Sequence, residues 1–354
     1  MDGTKYIGMD VHKESVSIAV MNSAGKVVME SVIGTKASMI LQFVHGLRGD
    51  LLVTFEEGTW AAWLYDLLRP HVTRIVVCNP RRNALLKDGN KSDRIDAQKL
   101  AEVLYLNKLK PVYHGEHGLR AVKELVRSYS TVTKDLTRVM SRVKAIYHRL
   151  GYSLHRQASL WTAPSCGVAG EDHRAGCASP QFYYQQLDAL RALRQEVRRE
   201  LLKESKKHKA WRLLCRIPSI GPIRAAMLMG ILQTPHRFRT KRQLWTYSGF
   251  GIETRSSADH RSVEGQLRRA RKPASIRGLN ENHNHDLKNL FKSAAIIASN
   301  KPGPFQEFYA ALLTKGMRPE MARLTLARKI AAITLHVWKK GASFDAQYLK
   351  PQTA

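Results

Sequence analysis

The stretch KYIGMDVHKESVSIAVMNSAGKVVMESV, residues 5–32, contains three short apolar runs and decides the fold class. The first run, 5–11, contains Asp10 near its end; the second, 15–21, alternates apolar and polar residues; the third, 26–32, follows the turn NSAG. Short apolar or alternating runs bounded by turn residues are typical of β-strands. Three such strands joined by short turns predict an antiparallel meander.

Strand and helix patterns alternate after the meander. The pattern predicts helices over 36–48, 59–68 and 93–106 and strands over 51–56 and 74–80. A meander followed by strand–helix alternation is typical of a ribonuclease-H-like (RuvC-like) or actin-like α/β domain. We assign this domain to residues 1–112.

The periodicity changes after residue 112. A heptad seam over 118–150 and a second helical run over 182–207 predict a coiled-coil region spanning 113–208, whose two helices pair within or between chains. The intervening residues 152–180 are rich in Gly, Ser, Ala and Pro, which indicates a loop or insertion.

Residues 209–354 predict a mainly α-helical C-terminal domain. Its segment IPSIGPIRAA (217–226) resembles a helix-hairpin-helix turn, in which the loop at Gly221 and the start of the next helix, with Arg224, bind a phosphate. The arginine- and asparagine-rich segment that follows supplies further candidates for binding nucleic acid: Arg255, Arg268, Arg269, Arg271, Lys272, Arg277, Asn280, Asn282 and Lys288.

The net charge of the chain indicates which class of molecule it binds. Lys and Arg number 58 against 29 Asp and Glu, so the formal net charge is +29, which indicates a polyanionic partner such as DNA or RNA. The sequence contains neither a signal peptide nor an apolar run long enough to cross a bilayer, so we expect a cytoplasmic, nucleoid-associated protein without a membrane partner. Four widely spaced cysteines indicate neither a zinc site nor a disulfide framework.

Four carboxylates form the candidate catalytic site. Asp93 and Asp96 are three residues apart at the start of a predicted helix, and Asp10 and Glu56 each lie at the end of a predicted strand. If that helix packs across the sheet edge, the four groups converge, and oxygen ligands of this kind suit Mg²⁺ or Mn²⁺. Glu57 is the alternative to Glu56 as the fourth acid. The alternative interpretation of Asp93 and Asp96 is that they are only acids at the start of a helix.

The motifs together resemble a known family. IGMDVHKESV (7–16), FEEGTWAAWLYDLL (55–68) and NKSDRIDAQKLAE (90–102), in that order, are similar to the DEDD motifs of insertion-sequence transposases related to the Piv-type DNA invertases. IPSIGPIRAA, LWTYSGFG (244–251) and VWKKGASFDAQYL (337–349) resemble the second domain of the same family.

The resemblance implies a function and a set of partners. It implies a recombinase that acts on insertion-sequence ends and target DNA, holds Mg²⁺ with Asp10, Glu56, Asp93 and Asp96, and forms homo-oligomers, dimers or tetramers. It also implies guidance by a structured noncoding RNA and a serine nucleophile in the C-terminal domain that links covalently to DNA.

The sequence departs from the family pattern at the position of the serine nucleophile. Many relatives carry it in a segment resembling SKxGN, whereas the corresponding region here reads IRGLNENHNHDLKNLF (276–291) and places Asn280 at the expected position. Ser257 and Ser275 are therefore both candidates. A serine hydroxyl needs an activating base or metal in either case.

Three other functions remain open at this point. A RuvC-type junction-resolving endonuclease would need only the four acids and would use water. A non-catalytic nucleic-acid scaffold would need only the basic surface. An actin-fold sugar kinase is disfavoured by the charge and by the absence of a Gly-rich adenosine loop.

Overall fold

The chain divides into two compact units, residues 1–114 and 115–354. The computed structural model describes residues 3–79, 92–109, 111–114, 119–149, 178–255, 260–263, 266–269 and 275–349. Within these ranges, the side chains of residues 178–180 and of most residues from 255 to 277 lie outside the description. The division falls two residues from the boundary predicted after residue 112.

The first unit is built on a five-stranded mixed sheet. Its strands are β1 (Lys5–Val11), β2 (Ser15–Met21), β3 (Val27–Gly34), β4 (Leu51–Glu56) and β5 (Arg74–Cys78). They lie in the order β3-β2-β1-β4-β5; β1, β2 and β3 pair antiparallel, and β1, β4 and β5 pair parallel. The predicted meander is confirmed, and β4 is observed where its pattern predicted it.

Helices cover both faces of this sheet. The helices of the first unit are α1 (Ala37–His45), α2 (Ala61–Leu68) and α3 (Asp93–Tyr105). Buried residues of α1 and α2 share a core with Ile7 and Met9 of β1, whereas α3 buries Ala97 and Ala101 against Ala19 of β2. Because successive side chains of a strand point to opposite faces, α3 lies on the face that Gly8 and Asp10 share.

The second unit begins with a long helical hairpin. Helices α4 (Arg120–Arg149) and α5 (Ala178–Lys206) pack against each other within the chain, burying Leu136, Val143 and Leu187 between them. The phenolic oxygens of Tyr147 and Tyr184 lie 3.0 Å apart. Helix α5 begins four residues before its predicted start, and residues 152–177 of the predicted insertion lie outside the described residues.

The C-terminal part of the second unit is mainly α-helical. Its helices are α6 (Lys209–Cys215), α7 (Pro222–Leu232), α8 (Lys241–Tyr247), α9 (His285–Asn300), α10 (Pro304–Thr314) and α11 (Pro319–Lys340). They surround one core that also includes Val122 and Val126 of α4 and Leu201 of α5. This core crosses the predicted boundary at residue 208, while a second cluster, around Leu136 and Leu187, lies within the hairpin.

Four short strands interrupt the helices. They are β6 (Ile252–Arg255), β7 (His260–Val263), β8 (Gln266–Arg269) and β9 (Ser275–Leu279), with β6 pairing with β9 and β7 with β8, both antiparallel. These strands were not predicted from the sequence. Runs of four or five residues rich in arginine lack the apolar alternation that identifies a strand. None of the helices described here has a span both long and apolar enough to cross a membrane.

Candidate active site

Two of the predicted acids lie at the ends of neighbouring strands. Strands β1 and β4 pair parallel with Met9 opposite Phe55, so Asp10 and Glu56 occupy the next position of the same register. Parallel strands in register direct side chains at equivalent positions to the same face. The sheet thus places both carboxylates at its carboxyl edge, as their positions in the sequence predicted.

Helix α3 brings the other two acids to this edge. Ser92 is its N-cap, and the Ser92 side chain accepts a hydrogen bond from the Ile95 N–H at 3.3 Å. Asp93 and Asp96 therefore lie in the first turn, where the helix dipole favours negative charge. The N-cap is Ser92 rather than Asp93, so N-capping does not explain why residue 93 is an aspartate.

Gly8 allows α3 to approach the sheet. A Cβ atom at residue 8 would lie 2.2 Å from the Ala97 carbonyl oxygen and 2.5 Å from the Ala101 nitrogen. No side chain fits in that space, so a glycine at this position lets the helix backbone rest directly on β1. This close packing, two residues before Asp10, sets the distance between the sheet edge and the first turn of α3.

A second contact fixes α3 against the meander. Arg94 pairs with Glu30 of β3, and the Gln98 side chain donates a hydrogen bond to the same carboxylate. The hydrogen bond from Arg94 lowers the pKa of Glu30. Glu30 thus contacts two consecutive turns of the helix that carries Asp93 and Asp96.

Asp10, His12 and Asp93 form a cluster at this edge. The His12 Nε2 atom lies 3.1 Å from Asp10 Oδ2 and 3.4 Å from Asp93 Oδ1, and one ligand atom from each residue falls within 4.8 Å of the others. Burial raises the pKa of Asp10; His12 opposes this rise, while the charges of Asp93 and Asp96 add to it. The charge of Asp10 in turn raises the pKa of His12.

The donor set of this cluster fits a divalent cation. Carboxylates that raise the pKa of a half-buried neighbour repel one another, and a cation among them would relieve that repulsion. Carboxylate oxygens suit Mg²⁺ and Mn²⁺, and an imidazole nitrogen is also a ligand for transition metals. His12 was not among the residues predicted from the sequence; its position two residues after Asp10, at the same strand end, is the signal that could have identified it.

Glu57 lies in a different environment from the cluster. Its carboxylate contacts His114 Nε2 at 2.5 Å, and the His114 side chain is buried and stacked on the Tyr65 ring. Its backbone N–H donates to the Cys78 carbonyl of the adjacent strand. His114 thus holds the Glu57 carboxylate, whereas Glu56 occupies the position in register with Asp10.

The predicted phosphate-binding turn lies between α6 and α7. Gly221 is the N-cap of α7 and Pro222 its first residue. Arg224 is half-buried, and its guanidinium donates to Ser293 Oγ at 3.2 Å and to the Ser219 carbonyl at 3.3 Å. The turn thus places a cation beside the start of a helix.

The asparagine-rich segment packs on the motif LWTYSGFG. The Asn280 side chain donates to the carbonyls of Thr246 and Asn282 and accepts from the Asn282 N–H, and the Asn280 N–H donates to the Gly251 carbonyl. Lys288 lies in the first turns of α9, whose N-cap is Asn284. Asn280 and Asn282 therefore lie just before this helix, and Lys288 lies within its first turns.

The remaining candidates lie around the short strands. The register of β6 and β9 pairs the α-carbons of Arg255 and Ser275, and Arg268, Arg269 and Arg277 lie within β8 and β9. The side chains of these five residues lie outside the description. Ser257, Arg271 and Lys272 lie entirely outside the described residues.

The strand order and the acidic edge define the class of protein. A mixed sheet in the order β3-β2-β1-β4-β5, with carboxylates at the ends of the central strand β1 and its neighbour β4, is consistent with a ribonuclease-H-like domain of the DEDD type. Residues 7–150 match the family of DEDD transposases of the IS110 type, and residues 211–275 match the transposase family IS116/IS110/IS902. Both matches are to transposases of the IS110 type, and together they support an IS110-family DEDD transposase.

A curated relative agrees with this assignment. The transposase for insertion sequence element IS1533 from Leptospira borgpetersenii is 28% identical over 170 residues. The alignment covers 44% of this chain and 47% of the relative, so the chain spans about half the length of the curated relative it matches.

Proposed function

We propose that the protein is a DNA recombinase of an insertion sequence that exchanges strands by metal-dependent phosphodiester transfer. The observation that carries the proposal is the convergence of Asp10, His12 and Asp93 at the sheet edge, beside Asp96 and in register with Glu56. The two family matches support the same reaction class.

The acidic site would hold one or two Mg²⁺ ions through Asp10, Glu56, Asp93 and Asp96, with Mn²⁺ as the alternative. When bound, such ions stabilise negative charge on the attacking and leaving oxygens of a phosphodiester. The chain itself orients the ligands: β1 and β4 hold Asp10 and Glu56 in register, and the packing of α3 on Gly8 sets the position of Asp93 and Asp96.

The nucleophile distinguishes two versions of the reaction. In the first, Ser257 or Ser275 attacks the phosphorus: its Oγ–P bond forms, the bond from phosphorus to a sugar oxygen breaks, and the hydroxyl proton passes to a base. A second strand's hydroxyl then reverses the step and releases the serine. In the alternative, a RuvC-type endonuclease, water attacks instead and no covalent intermediate forms.

We also propose that the protein acts on insertion-sequence ends and target DNA, with a structured noncoding guide RNA and as a dimer or tetramer. The net charge of +29 supports a large nucleic-acid load, because each neutralised phosphate releases counterions and adds affinity. The guide RNA, the oligomer and a location on the nucleoid rest on the family resemblance.

The test is a cleavage assay with the full chain, its co-expressed RNA, donor and target DNA, and Mg²⁺. Asp93→Asn and Asp96→Asn should each lower cleavage by about a hundredfold or more, since each removes a ligand charge from the site. Glu102→Gln is the matched control, because Glu102 is an exposed acid on the same helix, and it should cleave like the wild type.

The same assay identifies the nucleophile. A covalent protein–DNA adduct that is lost in Ser257→Ala or in Ser275→Ala would name the serine, whereas cleavage without an adduct would support the water-using endonuclease. Retention of nucleic acid with no cleavage by the wild type would contradict both reactions and leave a binding scaffold.

A further inference from the structure

A recess of about 680 Å³ lies among four helices of the second unit. Helix α4 contributes Tyr129 and Lys134, α5 contributes Arg194 and Arg198, and the starts of α7 and α9 complete the wall. Its volume falls within the range of sites that bind small organic ligands, roughly 300–1,000 Å³.

The wall carries more positive charge than its acids neutralise. Lys134 pairs with Asp286 at 3.0 Å, but within the described part of the chain Arg194, Arg198 and Arg224 have no carboxylate partner. Arg224 is half-buried, and among the described residues it donates to the neutral oxygens of Ser219 and Ser293. A partly desolvated guanidinium without a counter-charge favours an anion as the occupant.

The start of α7 adds backbone donors to the same wall. Pro222 is the first helical residue and Gly221 has no side chain to cap the helix, so the first bond of this helix runs from the Ala225 N–H to the Gly221 carbonyl. The N–H groups of Ile223 and Arg224 make no hydrogen bond with any described residue. Free amides at a helix start attract anions, phosphate in particular.

Part of the wall is aromatic or apolar, and polar uncharged side chains such as Ser130, Thr133, Gln195 and Asn289 line the remainder. Tyr129, Ile223, Met227 and Leu290 line the recess alongside the arginines. A recess that combines cations at one helix start with an aromatic and apolar surface suits a group that is charged at one end and flat at the other. A nucleotide has this form, since its phosphate is anionic and its base stacks on aromatic rings and guanidinium planes.

We propose that this recess binds one unpaired nucleotide of a nucleic-acid strand, with its phosphate at the start of α7 and its base against the apolar wall. A paired duplex presents its phosphates on a convex surface and keeps its bases stacked, so it would not fill a space between helices. The proposal rests on the proposed function, because it names a form of nucleic acid that the second unit recognises.

The test measures the affinity of the protein for labelled nucleic-acid probes by fluorescence anisotropy, in the presence of a chelator. The probes are a short labelled duplex with one unpaired nucleotide and the same duplex fully paired, each made in DNA and in RNA. The wild type should prefer the unpaired probe of at least one type, and the more tightly bound type names the strand. Arg194→Gln and Arg198→Gln should each weaken binding of that probe by about tenfold and reduce its salt dependence by about one phosphate contact.

Arg199→Gln is the control, because Arg199 is an exposed arginine on the same helix outside the recess. It should change the affinity for paired and unpaired probes equally, and thermal melting confirms the fold of each variant. Equal binding of both probes by the wild type, or equal losses on both probes in Arg194→Gln, would overturn the proposal.

The cleavage assay keeps the two hypotheses separate. Metal-dependent cleavage without any preference for unpaired nucleotides would contradict the recess proposal alone. Preference for the unpaired probe by a protein that never cleaves would contradict the proposed reaction alone.

Discussion

At the scale of single residues, the adjacent acids Glu56 and Glu57 differ in what surrounds them. Glu56 follows β4 in register with Asp10, whereas the Glu57 carboxylate contacts the buried His114 at 2.5 Å. We therefore expect Glu56→Gln to abolish metal-dependent cleavage. Glu57→Gln should retain cleavage and lower the free energy of unfolding by about 1–2 kcal/mol, because a hydrogen bond to a charged group is lost. Cleavage and denaturant-unfolding assays check both, and the reverse pattern would identify Glu57 as the ligand.

Gly8 affects both the packing of α3 and the position of the carboxylates that α3 carries. Gly8→Ala should destabilise the protein by about 1–3 kcal/mol, because the new methyl group overlaps the backbone of α3. It should also weaken Mg²⁺ binding, since α3 carries Asp93 and Asp96. Thermal melting and calorimetry measure the two effects. Gly58→Ala is the control, because a Cβ there meets nothing within 4 Å; equal effects of the two variants would show that the close approach is unimportant.

At the scale of elements, the pairing of α4 with α5 within the chain can be tested directly. Leu187 is fully buried in their interface, so Leu187→Ala should cost about 2–5 kcal/mol of unfolding free energy. Leu193 of the same helix is 43% exposed, and Leu193→Ala should cost much less. Denaturant unfolding at several protein concentrations provides the measurement. A loss that depends on concentration would show that these helices pair between chains instead.

At the scale of the whole molecule, we expect the net charge to determine the affinity for nucleic acid. A net charge of +29 predicts that nucleic-acid affinity falls steeply with salt, by about a thousandfold or more between low and physiological concentrations if at least six phosphates are contacted. Titrations of DNA and of RNA across a salt series provide the test. A decrease of less than about tenfold would mean that few phosphates are contacted and that the charge serves another purpose.

Local sequence patterns determined most of the regular structure. The meander, β4, α3 and the two long helices follow from apolar periods of two and of about 3.6 residues, which depend only on the neighbouring side chains of one segment. The short strands β6 to β9 could not be predicted in this way, because a run such as Gln266–Arg269 is stabilised by its partner strand and has no apolar alternation of its own.

For the candidate site, the sequence by itself determined which acids end a strand or begin a helix: Asp10, Glu56, Asp93 and Asp96. Only the tertiary structure decided that His12 joins Asp10 and Asp93, that Glu57 contacts His114, and that Arg194 and the start of α7 line the same recess. The physical reason is that strand ends and helix starts are local properties. Distances between side chains that are remote along the chain depend instead on how whole elements pack, as α3 does on Gly8.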